Sequence, residues 1–380
     1  MAEMQAVHLL LFGQFLAQLI MIHAKVSSII VFGDSTVDAG NNNHVATVLR
    51  SNFQPYGRDF YGSRPTGRFC NGRIATDFIS EAFGIRSIVP AYLDPNYNMV
   101  DFAKGVSFAS AGTGYDNLTA AILSVIPLWK ELEYFKEYQT NLKAHLGDAK
   151  ASKVLSEALY LISLGTNDFL ENYFALPIRS RVYSIEEYEK FLEDIARNFV
   201  KDLYNLGARK ISLNGLPPMG CLPLERTENY FSGTKCVQLY NRVAKEFNLK
   251  LKHLVKKLNK ELAGIQLVYS DIYYILSDVI KNPRSFGFDD GERACCATGR
   301  FEMSYLCNRY NPFTLAKDVD YGLSQNQTRS LVVSGWKRTF LRHGITGYHG
   351  AVVKVSSFVG KAPQHVTQGV EHALHHDVVS

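Results

Sequence analysis

The chain has 380 residues, a net charge of +5, and 46% hydrophobic against 20% charged residues. These are the proportions of an ordinary globular protein, long enough for one domain of about 300 residues or two smaller ones. The charge is too small for this length to argue for nucleic acid as a partner. The most basic segment, residues 245–260, interleaves lysines with Phe247, Leu251, Leu254 and Leu258. That spacing predicts an amphipathic helix with a solvated face rather than a phosphate-binding stripe.

In chain order, residues 9–22 form an apolar stretch broken by Gln14 and Gln18, too short to span a bilayer comfortably. It reads as a signal-peptide core, with cleavage near Ala24 or Ser27, although no Lys or Arg precedes it; the alternative is a buried or membrane-anchoring helix. The expected layout is a leader at 1–24, one domain at 25–345 and an irregular tail at 346–380. Secretion agrees with sequons at Asn117 and Asn326. It also agrees with six cysteines, Cys70, Cys221, Cys236, Cys295, Cys296 and Cys307, that lack zinc-ligand spacing with histidines. Disulfides are the better reading, with Cys221–Cys236 and a bond from Cys307 to Cys295 or Cys296 as guesses. No stable membrane insertion is expected, and the oligomeric state is left open.

Short apolar runs at 29–32, 106–108, 159–164, 210–213 and 265–270 each end in Gly or a polar turn and predict strands. Between the third and fourth, Tyr188, Phe191, Ile195, Phe199 and Leu203 recur at helical spacing before Gly207. Between the fourth and fifth, a long stripe runs from Val237 to Leu262. The alternation predicts an α/β fold, a three-layer α/β/α domain with a mostly parallel central sheet.

The first strand ends in Gly33-Asp34-Ser35. Alone these residues make an ordinary turn. At the carboxyl end of a strand in an open sheet, a serine on a tight turn is also where a nucleophile is needed. The second strand opens into Ala109-Ser110-Ala111-Gly112-Thr113-Gly114, small residues whose backbone N–H groups can approach a ligand and suit an oxyanion hole. A dinucleotide fingerprint fails there, because Asn117 stands where its third glycine belongs. The third strand runs into Gly165-Thr166-Asn167-Asp168, where the Asn amide is either a further oxyanion donor or a helix cap.

Together these stretches resemble the plant GDSL esterase/lipase family of the SGNH hydrolases. Gly33-Asp34-Ser35, Gly112 and Gly165-x-Asn167-Asp168 match its first three blocks in order, and further family-like stretches lie at 64–73, 215–223 and 294–299. The resemblance implies a flavodoxin-like fold and a serine esterase or lipase acting on a small-molecule, lipid or polysaccharide ester, with no metal or organic cofactor. Carried over, Ser35 is the nucleophile; the Ser35 N–H, the Gly112 N–H and the Asn167 amide form the oxyanion hole. Thr36 replaces a commoner Leu, Ser107 a usual Asn, Cys70 a usual Ser and Ala297 a usual Gly.

One departure removes catalytic groups. The family's Trp-Asp-x-x-His-Pro block, which supplies the base His and its orienting Asp, should follow Cys307-Asn308 closely. No Asp-x-x-His occurs anywhere in the chain. An in-frame loss between about Asp318 and Leu323 accounts for this, so no triad Asp or His is identified. His343 and His349 lack a fitting upstream Asp, and His372, His375, His376 and Asp377 read as a polar terminus. A catalytically impaired member that binds acyl or glycan ligands in the same crevice is the alternative function.

Overall fold

The computed structural model describes residues 26–228, 235–286, 288 and 291–292. The expected leader and tail, Cys295, Cys296, Cys307 and the place of the missing block lie outside the described residues. All five expected strands form within a residue or two of their predicted bounds: β1 Ile29–Gly33, β2 Gly105–Ser107, β3 Leu159–Ser163, β4 Lys210–Asn214 and β5 Gln266–Ser270. They make one sheet in the order β2-β1-β3-β4-β5, and every neighbouring pair is parallel.

The runs are apolar throughout because both faces of the sheet are covered. Ile30 and Phe32 of β1, with Tyr160 and Ile162 of β3, enter the larger core; Ile29, Val31, Leu159 and Leu161 alternate into a smaller one opposite. The larger core is closed by helices Leu128–Leu146, Ile185–Asn205 and Gln238–Glu261, which contribute Phe135, Phe199 and Phe247. Phe32 stacks on Phe108 at 5.4 Å and meets Phe135 and Phe199 edge-on at 5.5 and 5.2 Å. The smaller core packs Val26, Val37, Ile79 and Val89, with Ile79 coming from helix Ala75–Ala82.

The helices follow local signals. Ser184 and Glu187 form a capping box that starts Ile185–Asn205, and Gly207, at φ 103°, lies just past its end. In Gln238–Glu261 the buried Phe247, Leu251, Leu254 and Leu258 leave the lysines outward, as the spacing predicted. The Cys221–Cys236 disulfide is present, with a sequence separation of 15. A cross-link closing a loop of that size contributes about 3 kcal/mol.

The stretch between β1 and β2 has little regular structure and is held by a buried ion pair. The Arg68 guanidinium is 4% exposed and grips Asp77 with two bonds, Nε to Oδ2 at 2.9 Å and Nη2 to Oδ1 at 3.1 Å. Its remaining donors reach the carbonyls of Ala39, just past the Gly33-Asp34-Ser35 turn, and Val89. Asp77 also accepts the N–H groups of Ile74 and Val89. Removing one partner of a buried pair leaves an uncompensated charge. Arg68→Ala should therefore lower unfolding free energy by about 3–5 kcal/mol in chemical denaturation.

Candidate active site

The chain passes from β1 to β2 in one direction and then places β3 on the other side of β1, so the strand order reverses between β1 and β3. In a doubly wound sheet the crevice at such a switch point takes the ligand. Gly33 pairs with Ser163 as the last step of that register, so both strands end at one level. The Ser35 turn leaves from one and Asn167 follows from the other.

The Ser35 turn is tightly tied. Gly33 has φ 149°, and a Cβ there would lie 2.3 Å from the Ser163 carbonyl oxygen. The Asp34 N–H donates to that carbonyl at 3.1 Å, and the Val37 and Asp38 N–H groups close the turn onto the Asp34 carbonyl. The Asp34 side chain accepts from the Thr36 N–H and hydroxyl at 2.9 and 2.7 Å, and the Thr36 hydroxyl also meets Ser163 Oγ at 3.0 Å. The departure from Leu at 36 is thereby accommodated by two polar partners. Ser35 itself is partly exposed at the top of the turn.

The loop after β2 is fastened to the one after β1. Asp38 accepts the N–H groups of Gly40, Asn41 and Ala111. Asn41 donates to the carbonyls of Ser107 and Ala109, while Asn42 donates to that of Ala111 and accepts from Ser110 Oγ. The Asn41–His44 run, which looks like turn-forming sequence, is a short helix whose first two side chains are buried crosslinks. Ser107, another departure, spends its hydroxyl on the Val37 carbonyl at 3.1 Å. Gly112 sits at φ 90°, with Leu49 and Leu123 where a Cβ would go.

Asn167 is partly exposed and donates one amide hydrogen to the Thr113 carbonyl at 2.9 Å, leaving a second hydrogen on the same nitrogen. It is neither a simple helix cap nor remote from the second loop. Asp168 is buried and accepts Tyr115 N–H, Asp116 N–H and Thr119 Oγ1 at 2.7, 3.0 and 2.7 Å. A Cβ on Gly114 would fall 2.2 Å from Asp168 Oδ1, so this glycine makes room for a carboxylate rather than for a ligand. Asp168 also begins the helix Asp168–Ala175, which has the wide π form. That form is rare and recurs at functional sites. Asp116 completes the bracket by accepting two bonds from Arg179, at 2.6 and 2.9 Å.

Among the described residues, neither the Ser35 nor the Gly112 backbone N–H donates to a protein acceptor, and Ser35 Oγ makes no hydrogen bond. The three residues singled out in the sequence therefore follow three adjacent strands, with donors left over for an external oxygen. Sequence reasoning missed Asp38, Asn41, Asn42 and Glu131. Glu131 is buried on helix Leu128–Leu146, and its Oε2 accepts the Gly33 N–H at 3.0 Å. The sequon residue Asn117 is exposed, whereas Asn326 lies outside the described residues.

Burial pushes the carboxyls of Asp34 and Asp38 up to about 6 and that of Asp168 up to about 7, outweighing the hydrogen bonds that favour ionisation. Burial also raises Glu131 well above the usual range.

Ser35, Gly112 and Asn167 thus follow the carboxyl ends of three adjacent strands, β1, β2 and β3, beside the switch point of a parallel α/β sheet. Residues 29–311 match the GDSL-like Lipase/Acylhydrolase family. The chain is 59% identical to GDSL esterase/lipase At4g26790 of Arabidopsis thaliana over 313 residues, covering 82% of this chain and 89% of that protein. It is also 59% identical to GDSL esterase/lipase At2g04570 of the same plant over 321 residues, 84% and 92% of the two chains. The chain belongs to the GDSL-like lipase/acylhydrolase family and is a hydrolase acting on ester bonds. Among the described residues no helix is long and apolar enough to cross a membrane.

Two outcomes follow. Between the unfolded carboxyl range near 4 and the folded values, the native state binds more protons than the unfolded one, so stability falls as pH rises. Urea midpoints should drop from about pH 5 to about pH 7, each of these groups contributing a slope of about 1.4 kcal/mol per unit within its window. Asp168→Asn places an NH2 against donors that need an acceptor, and should cost about 1–3 kcal/mol in the same assay.

Proposed function

We propose that this protein hydrolyses carboxylic esters by acyl transfer through Ser35. The Ser35 Oγ attacks the ester carbonyl, the alcohol leaves, and water releases the acyl group from the serine. The developing oxyanion is met by the N–H groups of Ser35 and Gly112 and by the second Asn167 amide hydrogen. The observation that supports this reading is the set of donors following β1, β2 and β3 that no acceptor among the described residues uses, in loops held by buried carboxylates and asparagines. No metal or organic cofactor enters the scheme.

A serine hydroxyl is a weak nucleophile without an adjacent base. Since the chain contains no Asp-x-x-His, the Ser35-dependent rate is carried by the oxyanion donors and by substrate binding, as in serine hydrolases stripped of a triad member. The same absence favours a second reading, an impaired member that holds acyl or glycan ligands in the crevice. The leader-like stretch at 9–22 and the Cys221–Cys236 disulfide support export to an oxidising, extracellular compartment.

Hydrolysis of a short-chain aryl ester by the purified chain should exceed that by Ser35→Ala, and equal rates would establish the ligand-binding reading instead. Asn167→Ala should lower kcat by about 10²–10³-fold with KM little changed, the loss expected for one oxyanion donor.

A further inference from the structure

The Gly33-Asp34-Ser35 turn is braced by a group that the acyl-transfer scheme does not use. Glu131 reaches it from helix Leu128–Leu146 and is 0% exposed. Its Oε2 accepts the Gly33 N–H at 3.0 Å, and its Oε1 has no hydrogen-bond partner. The Gly33 carbonyl is held in turn by the Ser110 N–H at 2.8 Å. Gly33, from which the Ser35 turn starts, is thus pinned at its N–H from the helix layer and at its carbonyl from the β2 loop.

Burial acts most strongly on Glu131; the Gly33 and Ser110 N–H groups oppose it by favouring the charged form, and Asp38 and Asp34 from the β1 loop reinforce it. Both side chains are carboxyls, and none of these groups is a cation. An ionised Glu131 would leave its Oε1 charged without a hydrogen-bond donor in a fully buried site, under the repulsion of two further carboxyls. Each circumstance disfavours the charged form, and burial raises its carboxyl well above the ordinary range. Gly33 needs only one acceptor, and a neutral acid supplies it through its carbonyl oxygen.

We propose that Glu131 is a positioning residue that holds the Ser35 turn as an uncharged carboxylic acid, through its bond to the Gly33 N–H. The inference rests on the reading of Ser35 as nucleophile only for its effect on rate. Ionisation of Glu131 places a negative charge against the Gly33 N–H, two peptide units before the Ser35 N–H that is to meet a developing oxyanion. Rate and stability both decline when that happens. The native state binds more protons than the unfolded state between the unfolded and folded values of this group, so its contribution to stability is lost as pH rises.

Two variants separate charge from contact. Glu131→Gln keeps an acceptor for Gly33 and cannot ionise, whereas Glu131→Ala removes the acceptor. Each is compared with wild type from about pH 5 to about pH 9 by thermal melting, aryl-ester hydrolysis and amide exchange of the β1 peptide. The melting temperature of Glu131→Gln should rise relative to wild type as pH increases, and its kcat should lose less on the alkaline side while staying within about threefold of wild type near neutrality. Glu131→Ala should lower kcat about tenfold or more at unchanged KM and speed exchange at Gly33. A constant difference in melting temperature across the pH range, or a Gln variant as impaired as the Ala variant, would overturn the proposal. If wild type proves no faster than Ser35→Ala, the nucleophile reading fails alone, because melting and exchange still decide the role of Glu131. If Glu131→Ala does not fold, the Gln comparison still decides it.

Discussion

A side chain at position 33 would drive its Cβ to 2.3 Å from the Ser163 carbonyl oxygen, and the backbone there stands at φ 149°. That close approach lets β1 and β3 end together and lets the Asp34 N–H bond the same carbonyl. Only glycine adopts this geometry without strain. Once β1 stops there, the chain must turn sharply, and Ser35 stands partly exposed on that turn. Asn167 follows β3, the strand paired with β1. The site therefore begins as a backbone packing constraint, and its chemistry is added to it.

The loops around this point have almost no regular structure, yet they are not loose. Asp38, Asn41, Asn42, Asp168 and the Arg68–Asp77 pair tie them together alongside the smaller hydrophobic core. Buried polar groups of this kind are worth having only when their partners are present, because an orphaned one costs the full desolvation penalty. The result is directional rather than strongly stabilising. The raised carboxyls of Asp34, Asp38, Asp168 and Glu131 are the mark of that trade. They hold backbone amides in place at the expense of stability at neutral pH.

Much of this was legible in the sequence, and the misses have a common cause. The strands at 29–32 and 159–164, the helix through Tyr188 and Leu203, and the lysine-bearing helix through Phe247 each announced themselves by side-chain period over a short window. Ser35, Gly112 and Asn167 were readable as ordered blocks at strand ends. Glu131 was not, because its partner lies 98 residues away and nothing in a helical stripe distinguishes a buried acid from a solvated one. Asn41 and Asn42 looked like turn residues because their partners lie 66 to 69 residues on. Gly114 looked like an opening for a ligand until Asp168 was found filling it.

What the sequence determined by itself is local: which runs are strands, which faces of the helices are apolar, and which serine, glycine and asparagine stand at strand ends. Periodicity and turn chemistry act over a few residues and so survive without a fold. The tertiary structure alone decided which donors after β1, β2 and β3 remain unused and which carboxyls are buried. Those properties depend on contacts between segments far apart in the chain, where burial and hydrogen bonding are settled by packing.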